Sequence, residues 1–321
     1  MKRLPRVLFL GMPGNFSWPS LRALLDGGIE VCAVVLPVSP RPGLESLDGL
    51  VRPAINRREQ PRSTRSMLPL LNSSLHAGIV QFAWERQIPL WEVSHMSDPE
   101  TVSTLAAYQP DIICVACFSL RIARSILDIP RLGSLNVHPS LLPAHRGPVP
   151  LFWAVRQGLK QTGVTIHLMD EGMDTGDILA QAIIEIPNGI SYAQLELQCA
   201  TRGGELLAKT VWELYEGRAV PVPQDETRST YQTFPSDEDY IVPVADWSAS
   251  HVYNFICGVA DWGEPIKLHV GSEYFVVNKA ISYSLENMRD SQDAAYFWRG
   301  EELWIRCKVG WIGVANPTNF Q

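Results

Sequence analysis

The spacing of apolar and polar positions predicts an α/β fold at the start of the chain. Residues 6–10 form an apolar run that is typical of a strand, and a glycine-containing turn follows it. A helix with Ser17 as its expected N-cap comes next, and residues 29–36, rich in β-branched side chains, form a second strand. A strand, a turn, a helix and a strand in this order predict the start of a doubly wound sheet.

The same alternation continues to about residue 215. Strands are predicted over 89–93, 111–117, 133–137, 163–169 and 178–186, and helices over 75–86, 99–108, 150–158 and 192–215. Five residues of the last helix are expected to face inward, namely Leu195, Leu197, Leu206, Leu207 and Val211. The pattern predicts a Rossmann-like, doubly wound sheet domain, although the glycines after the first strand do not form the GxGxxG pattern of dinucleotide sites.

A change of pattern near residue 220 predicts a second domain. Residues 221–230 form a polar, proline-bearing linker, so the expected domains are 1–220 and 231–321. After the linker, one helix (247–257) precedes short alternating runs at 266–270, 274–277, 296–298, 303–307 and 310–314. Short strands at close spacing predict a small, mostly β, OB-like barrel.

Composition places the chain among soluble globular proteins. Hydrophobic residues make up 46% of the 321 residues and charged residues 19%. No apolar run approaches the roughly 20 residues that cross a bilayer, and the one near the N-terminus is too short for a secretory signal. We therefore expect a cytoplasmic protein with no membrane partner.

The net charge of −7 arises entirely after residue 220. Residues 221–321 hold 7 basic and 14 acidic side chains, whereas residues 1–220 balance. A broad phosphate-binding face is therefore not expected in the C-terminal domain. Within a proline-rich loop over 37–74, residues 52–65 concentrate five arginines against Glu59, namely Arg52, Arg57, Arg58, Arg62 and Arg65. This run is either a solvated surface loop or a basic loop that meets an anionic substrate.

The six cysteines do not predict a redox or metal site. Cys114 and Cys117 form the one CxxC pair, but they lie in an apolar run, so we expect both to be core residues. His138 and His145 lack the spacing and the carboxylate of a zinc motif. No metal is expected.

Three polar residues in the segment 134–181 suggest chemistry at a carbonyl. Asn136 and His138 are two apart at a strand end, so their side chains point the same way, and Asp174 lies in a turn that can approach them. An amide and an imidazolium can stabilise an oxyanion, and a carboxylate can hold the imidazolium or relay an amine proton. No serine, cysteine or threonine stands out as an acylated nucleophile, which favours direct transfer. On residue types alone, ordinary strand-end hydrogen bonding remains an alternative.

The motif around these residues resembles the folate-dependent formyltransferases. Asn136-x-His138 continues as Pro-Ser-Leu-Leu-Pro, and Asp-Thr-Gly-Asp follows at 174–177. The resemblance implies that Asn136, His138 and Asp174 are the catalytic triad. It also implies 10-formyltetrahydrofolate as the formyl donor, a primary amine as the acceptor, and a cis peptide at Leu142–Pro143.

Two further segments resemble the walls of the family's folate pocket. Residues 117–122 are similar to the loop that receives the pterin ring, and residues 170–174 to the opposite wall. The implied folate contacts are Phe118, Ser119, Leu120, Arg121, Ile122, Asp170, Glu171 and Gly172.

The acceptor is the least determined part of the prediction. The Arg146-Gly pair and the linker sequence at 223–227 resemble the branch of the family that formylates methionyl-tRNA more than the purine-pathway enzymes. We therefore expect charged initiator tRNA as the acceptor, bound by Arg57, Arg58 and Arg146. The acidic C-terminal domain favours an alternative acceptor, an amino-sugar nucleotide, whose formyltransferases share Ser-Leu-Leu-Pro-x-x-Arg-Gly. A third possibility is an inactive relative that only binds folate.

Overall fold

The computed structural model describes residues 3–38, 53–60, 77–286, 294–315 and 317–320. Its contacts divide the chain into two units. The first consists of residues 1–146, 163–183 and 197–230, and the second of residues 147–162, 184–196 and 231–321. The domain boundaries at 220 and 230 stay a prediction.

Strands and helices alternate through the first 215 residues, as predicted. In chain order they are β1 Arg6–Gly11, α1 Ser17–Asp26, β2 Glu30–Pro37, β3 Ile55–Arg57, α2 Ala77–Glu85, β4 Leu90–Val93, α3 Pro99–Ala106, β5 Ile112–Ala116, α4 Arg124–Leu127, β6 Ser134–His138, α5 Pro150–Arg156, β7 Gln161–Leu168, β8 Ile178–Glu185 and α6 Tyr192–Tyr215.

The first eight strands form one sheet in the order β3-β4-β2-β1-β5-β6-β7-β8. The central strands β4, β2, β1, β5 and β6 are parallel, while β3 and β7 run antiparallel to their neighbours β4 and β6. All five residues of β5 are buried, which explains its uninterrupted apolar sequence. The predicted Rossmann-like sheet is therefore confirmed.

Two local expectations in this sheet are wrong. The stretch 37–74 was expected to be a loop, but β3 lies within it and pairs with β4; residues 39–52 and 61–74 are outside the described ranges. Ser17 is the first residue of α1 and does not cap it. Its hydroxyl accepts from the Met12 amide (2.9 Å) and donates to the Ala116 carbonyl (2.6 Å), which joins the turn after β1 to the end of β5.

The longest helix, α6, buries Leu195, Leu207 and Val211 on one face. The expectation that Leu197 also faces inward is wrong, since its side chain is 51% exposed. Position 197 lies about 200° around the helix from position 195, so both cannot share a face. Across the described ranges, no helix has the length and apolar character needed to span a bilayer.

The C-terminal part is mostly β, as predicted. Its elements are β9 Ile241–Pro243, α7 Ala249–Val259, β10 Ile266–Val270, β11 Glu273–Val277, β12 Ala280–Ser284, β13 Tyr296–Arg299, β14 Glu302–Arg306, β15 Trp311–Ala315 and β16 Thr318–Phe320. They form two four-stranded sheets in the orders β16-β11-β10-β9 and β12-β15-β14-β13. The short strands β9, β12 and β16 were not predicted. The buried Phe152 ring of the second unit packs against Tyr240, Phe255 and Trp262 at centroid distances of 5.2 to 6.1 Å.

Candidate active site

The pairing of β6 with β7 places four polar side chains on one face of the sheet. In this antiparallel pair, Asn136 lies opposite His167 and His138 opposite Thr165. Alternate residues of a strand point to the same face, so both pairs share it. Asp174, in the turn between β7 and β8, has a left-handed backbone (φ 58°) and completes the group.

A single carboxylate oxygen of Asp174 lies at the centre of this group. Its Oδ1 is 3.4 Å from Asn136 Nδ2, 3.6 Å from His138 Nδ1 and 3.6 Å from His167 Nε2. Asp174 and both histidines are buried, and Asn136 is half-buried. The structure thus brings together the three side chains predicted to be catalytic, although they span 38 residues of sequence.

The hydrogen bonds of His138 determine which of its nitrogens can exchange a proton. Nε2 lies 2.8 Å from the His145 carbonyl oxygen, which can only accept, so Nε2 carries a proton. The nitrogen free to gain or lose one is therefore Nδ1, which faces Asp174. Burial lowers the pKa of His138, while the charge of Asp174 and the His145 carbonyl oppose that shift.

His167 was not predicted as a site residue. Its Nδ1 lies 2.8 Å from the Leu168 carbonyl oxygen and donates to it, so the neutral ring presents Nε2 as an acceptor. The amide nitrogen of Asn136 lies 3.2 Å from that Nε2 and donates to it. The available sequence signal was the alternation of Thr165 and His167 on a strand, which resembles Asn136-x-His138.

The loop after β6 carries the cis peptide that was expected at Leu142–Pro143, and this prediction is confirmed. Gln181 Nε2 donates to the Leu142 carbonyl (2.8 Å) and to Thr165 Oγ1 (2.9 Å), which ties this loop to β7 and β8. Burial lowers the pKa of His145, and the neighbouring His138 lowers it further. An open cavity of about 410 Å³ adjoins the loop; it is lined by Leu141, Leu142, Pro143, Ala144, Gln181, Ile183 and Arg228.

The two segments predicted to contact folate are anchored on one hydrophobic cluster. Phe118, Leu120 and Ile122 pack against the same core cluster as Met169, which precedes the second segment. The intervening residues and those at the turn are exposed, namely Ser119, Arg121, Asp170, Glu171 and Gly172. Asp170 Oδ1 accepts from the Gly172 amide (2.9 Å) and the Thr175 hydroxyl (2.6 Å), so it also shapes the turn.

The CxxC pair is divided between the core and this surface. Cys114 is buried in β5, as expected, and burial raises the pKa of its thiol. Cys117 is exposed and has a left-handed backbone (φ 58°), so the expectation that it lies in the core is wrong. The chain turns at this residue, where β5 ends and the predicted pterin loop begins. Among the described residues, no cluster of histidine, cysteine and carboxylate side chains could hold a metal.

The structure does not bring Arg57 and Arg58 to the triad. Both lie at β3, the opposite edge of the sheet, five strand spacings or about 24 Å from β6. Arg57 is exposed, with Nε 3.7 Å from Glu59, whereas Arg58 pairs with Glu92 at 2.6 Å. Of their predicted companions, Arg52, Arg62 and Arg65 are outside the described residues.

Arg146 lies close to the triad, but its side chain is buried and has partners within the chain. It is 7% exposed, and its guanidinium makes two hydrogen bonds to the Glu226 carboxylate (2.7 and 2.9 Å). It makes two more to Gln224 Oε1 (2.8 and 3.2 Å). Its predicted contact with an acceptor stays a prediction.

Comparison with known proteins identifies the family of this chain. The formyl transferase family model matches residues 8–211. The methionyl-tRNA formyltransferase of Synechococcus sp. (strain JA-3-3Ab) is 36% identical over 243 residues, 75% of this chain and 67% of that one. The enzyme of the same name from Ruminiclostridium cellulolyticum is 30% identical over 80% of this chain and 73% of its own.

Solved structures show the same fold over the full length. The N-formyltransferase of Helicobacter canadensis, in complex with folinic acid and dTDP-3-aminofucose, matches with a TM-score of 0.62. The match covers 98% of this chain and all of that one, at 15% identity. The fold, the match over residues 8–211 and the identity to these relatives lead to one conclusion: the chain belongs to the formyl transferase family.

Proposed function

We propose that this enzyme transfers a formyl group from 10-formyltetrahydrofolate to the amino group of methionyl-tRNA. The observation that carries the proposal is the convergence of Asn136 and His138 on one oxygen of Asp174. An amide donor, an imidazole and a carboxylate within 3.6 Å suit the attack of an amine on a formyl carbon.

In the proposed step, the acceptor nitrogen forms a bond to the formyl carbon and the bond from that carbon to N10 of the folate then breaks. The carbonyl oxygen becomes an oxyanion, which Asn136 and protonated His138 stabilise. The Asn136–Asp174 contact, at 3.4 Å, is long for a hydrogen bond, so the amide can exchange it for the oxyanion. Asp174 accepts the proton that the amine loses, directly or through water, and passes it by the same route to N10 as N10 leaves.

The segments at 117–122 and 170–174 are the proposed folate-binding walls. Their apolar side chains are occupied by the core, so exposed backbone groups and polar side chains remain for a ligand. The pterin ring would then be held largely through backbone groups. Phe118, Leu120 and Ile122 would then fix the shape of the loop through their packing against the core.

Methionyl-tRNA as the acceptor rests first on the relatives of that name, which share 30–36% identity with this chain. The position of Arg57 is consistent with it, because an exposed cation about 24 Å from the triad suits an extended polyanion. The cavity beside the cis-proline loop, with apolar walls and Arg228, suits an apolar aminoacyl side chain next to phosphate. With charged tRNA as the acceptor, we infer a cytoplasmic reaction.

An amino-sugar nucleotide is the second candidate acceptor. The Helicobacter canadensis enzyme, whose structure holds dTDP-3-aminofucose, matches the whole chain in fold. The surplus of acidic residues after 220 also favours a small acceptor over tRNA.

The deciding experiment compares formylation of charged initiator tRNA with formylation of a panel of amino-sugar nucleotides, at equal donor concentration. We expect turnover with methionyl-tRNA and none with the panel. Turnover with a sugar nucleotide alone would replace the proposed acceptor. Folate binding without turnover on either would identify an inactive relative.

A further inference from the structure

The linker segment, residues 222–230, contacts both sides of the proposed catalytic group. It begins at Val222, whose amide and carbonyl exchange hydrogen bonds with those of Ile178 at the start of β8 (2.8 and 2.9 Å). It ends at Thr230, beside the loop that follows β6. These contacts extend well beyond those that a tether between two domains requires.

At its first end, the segment holds the turn that carries Asp174. Gln224 Nε2 donates to the carbonyl oxygens of Asp174 (2.8 Å) and Gly176 (2.7 Å). Asp174 has a left-handed backbone, an unfavourable conformation for an aspartate that persists only where its surroundings hold it. The two bonds from one amide group supply such a restraint on both sides of Thr175.

Arg146 determines the orientation of that amide. Its Nε and Nη2 donate to Gln224 Oε1, which directs the Nε2 group of Gln224 towards the two carbonyls. The two hydrogen bonds from Arg146 to Glu226 hold the guanidinium in this geometry. The buried arginine thereby joins the loop after β6 to the turn after β7.

At its other end, the segment holds the carbonyl that orients His138. Thr230 Oγ1 accepts from the His145 amide (2.8 Å), and Thr230 O accepts from the Arg146 amide (2.9 Å). The Thr230 amide donates to the Pro143 carbonyl (3.2 Å). The His145 carbonyl, fixed in this way, accepts from His138 Nε2.

We propose that the linker segment is a positioning element for formyl transfer, in which Gln224 places Asp174 and Thr230 places His138. The inference rests on the proposed catalytic role of Asp174 and His138. Neither linker residue touches the reacting atoms in this assignment. Their loss would reduce kcat through the two groups that they hold, while the predicted folate contacts at 118–122 and 170–172 stay in place.

The test compares Gln224→Met, which keeps the length of the side chain but removes both the amide donor and the oxygen that accepts from Arg146, with Thr230→Val, which keeps the shape but removes the hydroxyl. Exposed Gln198→Met on α6 is the matched control. We expect kcat with methionyl-tRNA to fall roughly 10-fold or more in the two linker variants, as loss of a positioning group does. Binding of 5-formyltetrahydrofolate should stay within about twofold of wild type, as should kcat of the control.

A second readout separates positioning from general loss of structure. The charge of Asp174 raises the pKa of His138, so displacement of the carboxylate in Gln224→Met should move that pKa down in NMR titrations of labelled histidine. Asp174→Asn is the reference variant. If the Asp174→Asn enzyme shows normal turnover, the proposed catalytic role of Asp174 is wrong. If Asp174→Asn is inactive while Gln224→Met keeps wild-type kcat and an unshifted His138, the positioning role is overturned.

Discussion

Asn136 and His167 face each other across β6 and β7, with the amide nitrogen 3.2 Å from the imidazole Nε2. Because Nδ1 of His167 donates to the Leu168 carbonyl, this contact fixes which end of the Asn136 amide carries the donors. The proposed oxyanion donor is therefore oriented by a neighbour from the adjacent strand.

The first prediction concerns the proposed triad. Asn136→Ala, His138→Ala and Asp174→Ala should each lose roughly 100-fold or more in kcat, because each removes an oxyanion donor or a proton-transfer group. Binding of the folate donor should survive in all three, measured by titration with 5-formyltetrahydrofolate. Exposed Asn278→Ala is the control, and near-normal turnover in any triad variant would remove that residue from the mechanism.

The second prediction concerns His167. His167→Phe keeps a ring at this position but removes the acceptor for Asn136, so the amide loses its fixed orientation. We expect kcat to fall about 10-fold, less than for Asn136→Ala, with little change in KM for the folate. A double variant with Asn136→Ala should lose little more than Asn136→Ala alone; full additivity would show that the two residues act independently.

The third prediction concerns pH and stability. The His251 ring stacks on Trp247 at 3.8 Å and donates to the Arg156 carbonyl (3.0 Å), and burial lowers its pKa. The unfolded chain, with histidine pKa near 6.5, therefore takes up protons first as the pH falls. The contribution of His251 to the free energy of unfolding should be fully present above about pH 6.5. It should be lost as the pH falls through the lower pKa of the folded state.

We expect the Tm of the wild type to fall between about pH 7.5 and 5.5, and His251→Gln to show a smaller fall. Thermal unfolding followed by circular dichroism measures both, with exposed His95→Gln as the matched control. Equal falls in wild type and His251→Gln would show that this histidine does not contribute to the pH dependence.

The fourth prediction uses salt to test contact with tRNA. If Arg57 and Arg58 each meet one phosphate, replacing both with alanine should reduce the slope of log affinity against log salt by about 2. A reduction nearer 1 is expected if Arg58 keeps its pair with Glu92. Arg202→Ala, on the exposed face of α6, is the control. Equal affinity of wild type and the double variant at low and high salt would exclude this edge of the sheet as a tRNA contact.

Two of the wrong predictions, for Ser17 and Cys117, depend on surroundings that the sequence does not show. Ser17 has the residue type and position expected of a helix cap. Its hydroxyl instead donates a hydrogen bond to the carbonyl oxygen of Ala116, 99 residues further along the chain. Cys117 follows the five buried residues of β5 in an apolar run, yet the chain turns there and exposes it. In both cases the end of β5 decides the environment of the residue.

The sequence by itself determined the alternating strands and helices, because apolar periodicity depends on the spacing of residues along the chain and not on tertiary contacts. It also determined that Asn136 and His138 share a face, since two residues apart on a strand is a fixed geometry. The family motif added the assignment of Asn136, His138 and Asp174 as a triad and the cis bond at Leu142–Pro143, and the structure contains that bond.

Only the tertiary structure decided which residues surround that group. His167 reaches Asn136 through the register of β6 and β7, and Gln224 reaches Asp174 from 50 residues away. Arg146, which is also predicted to bind the acceptor, contacts Gln224 and Glu226, 78 and 80 residues further along the chain. Periodicity shows which face of an element a side chain occupies. It does not show the register between strands or the path of a segment, such as 222–230, that comes back to the sheet, and these two features decide which partners the side chain meets.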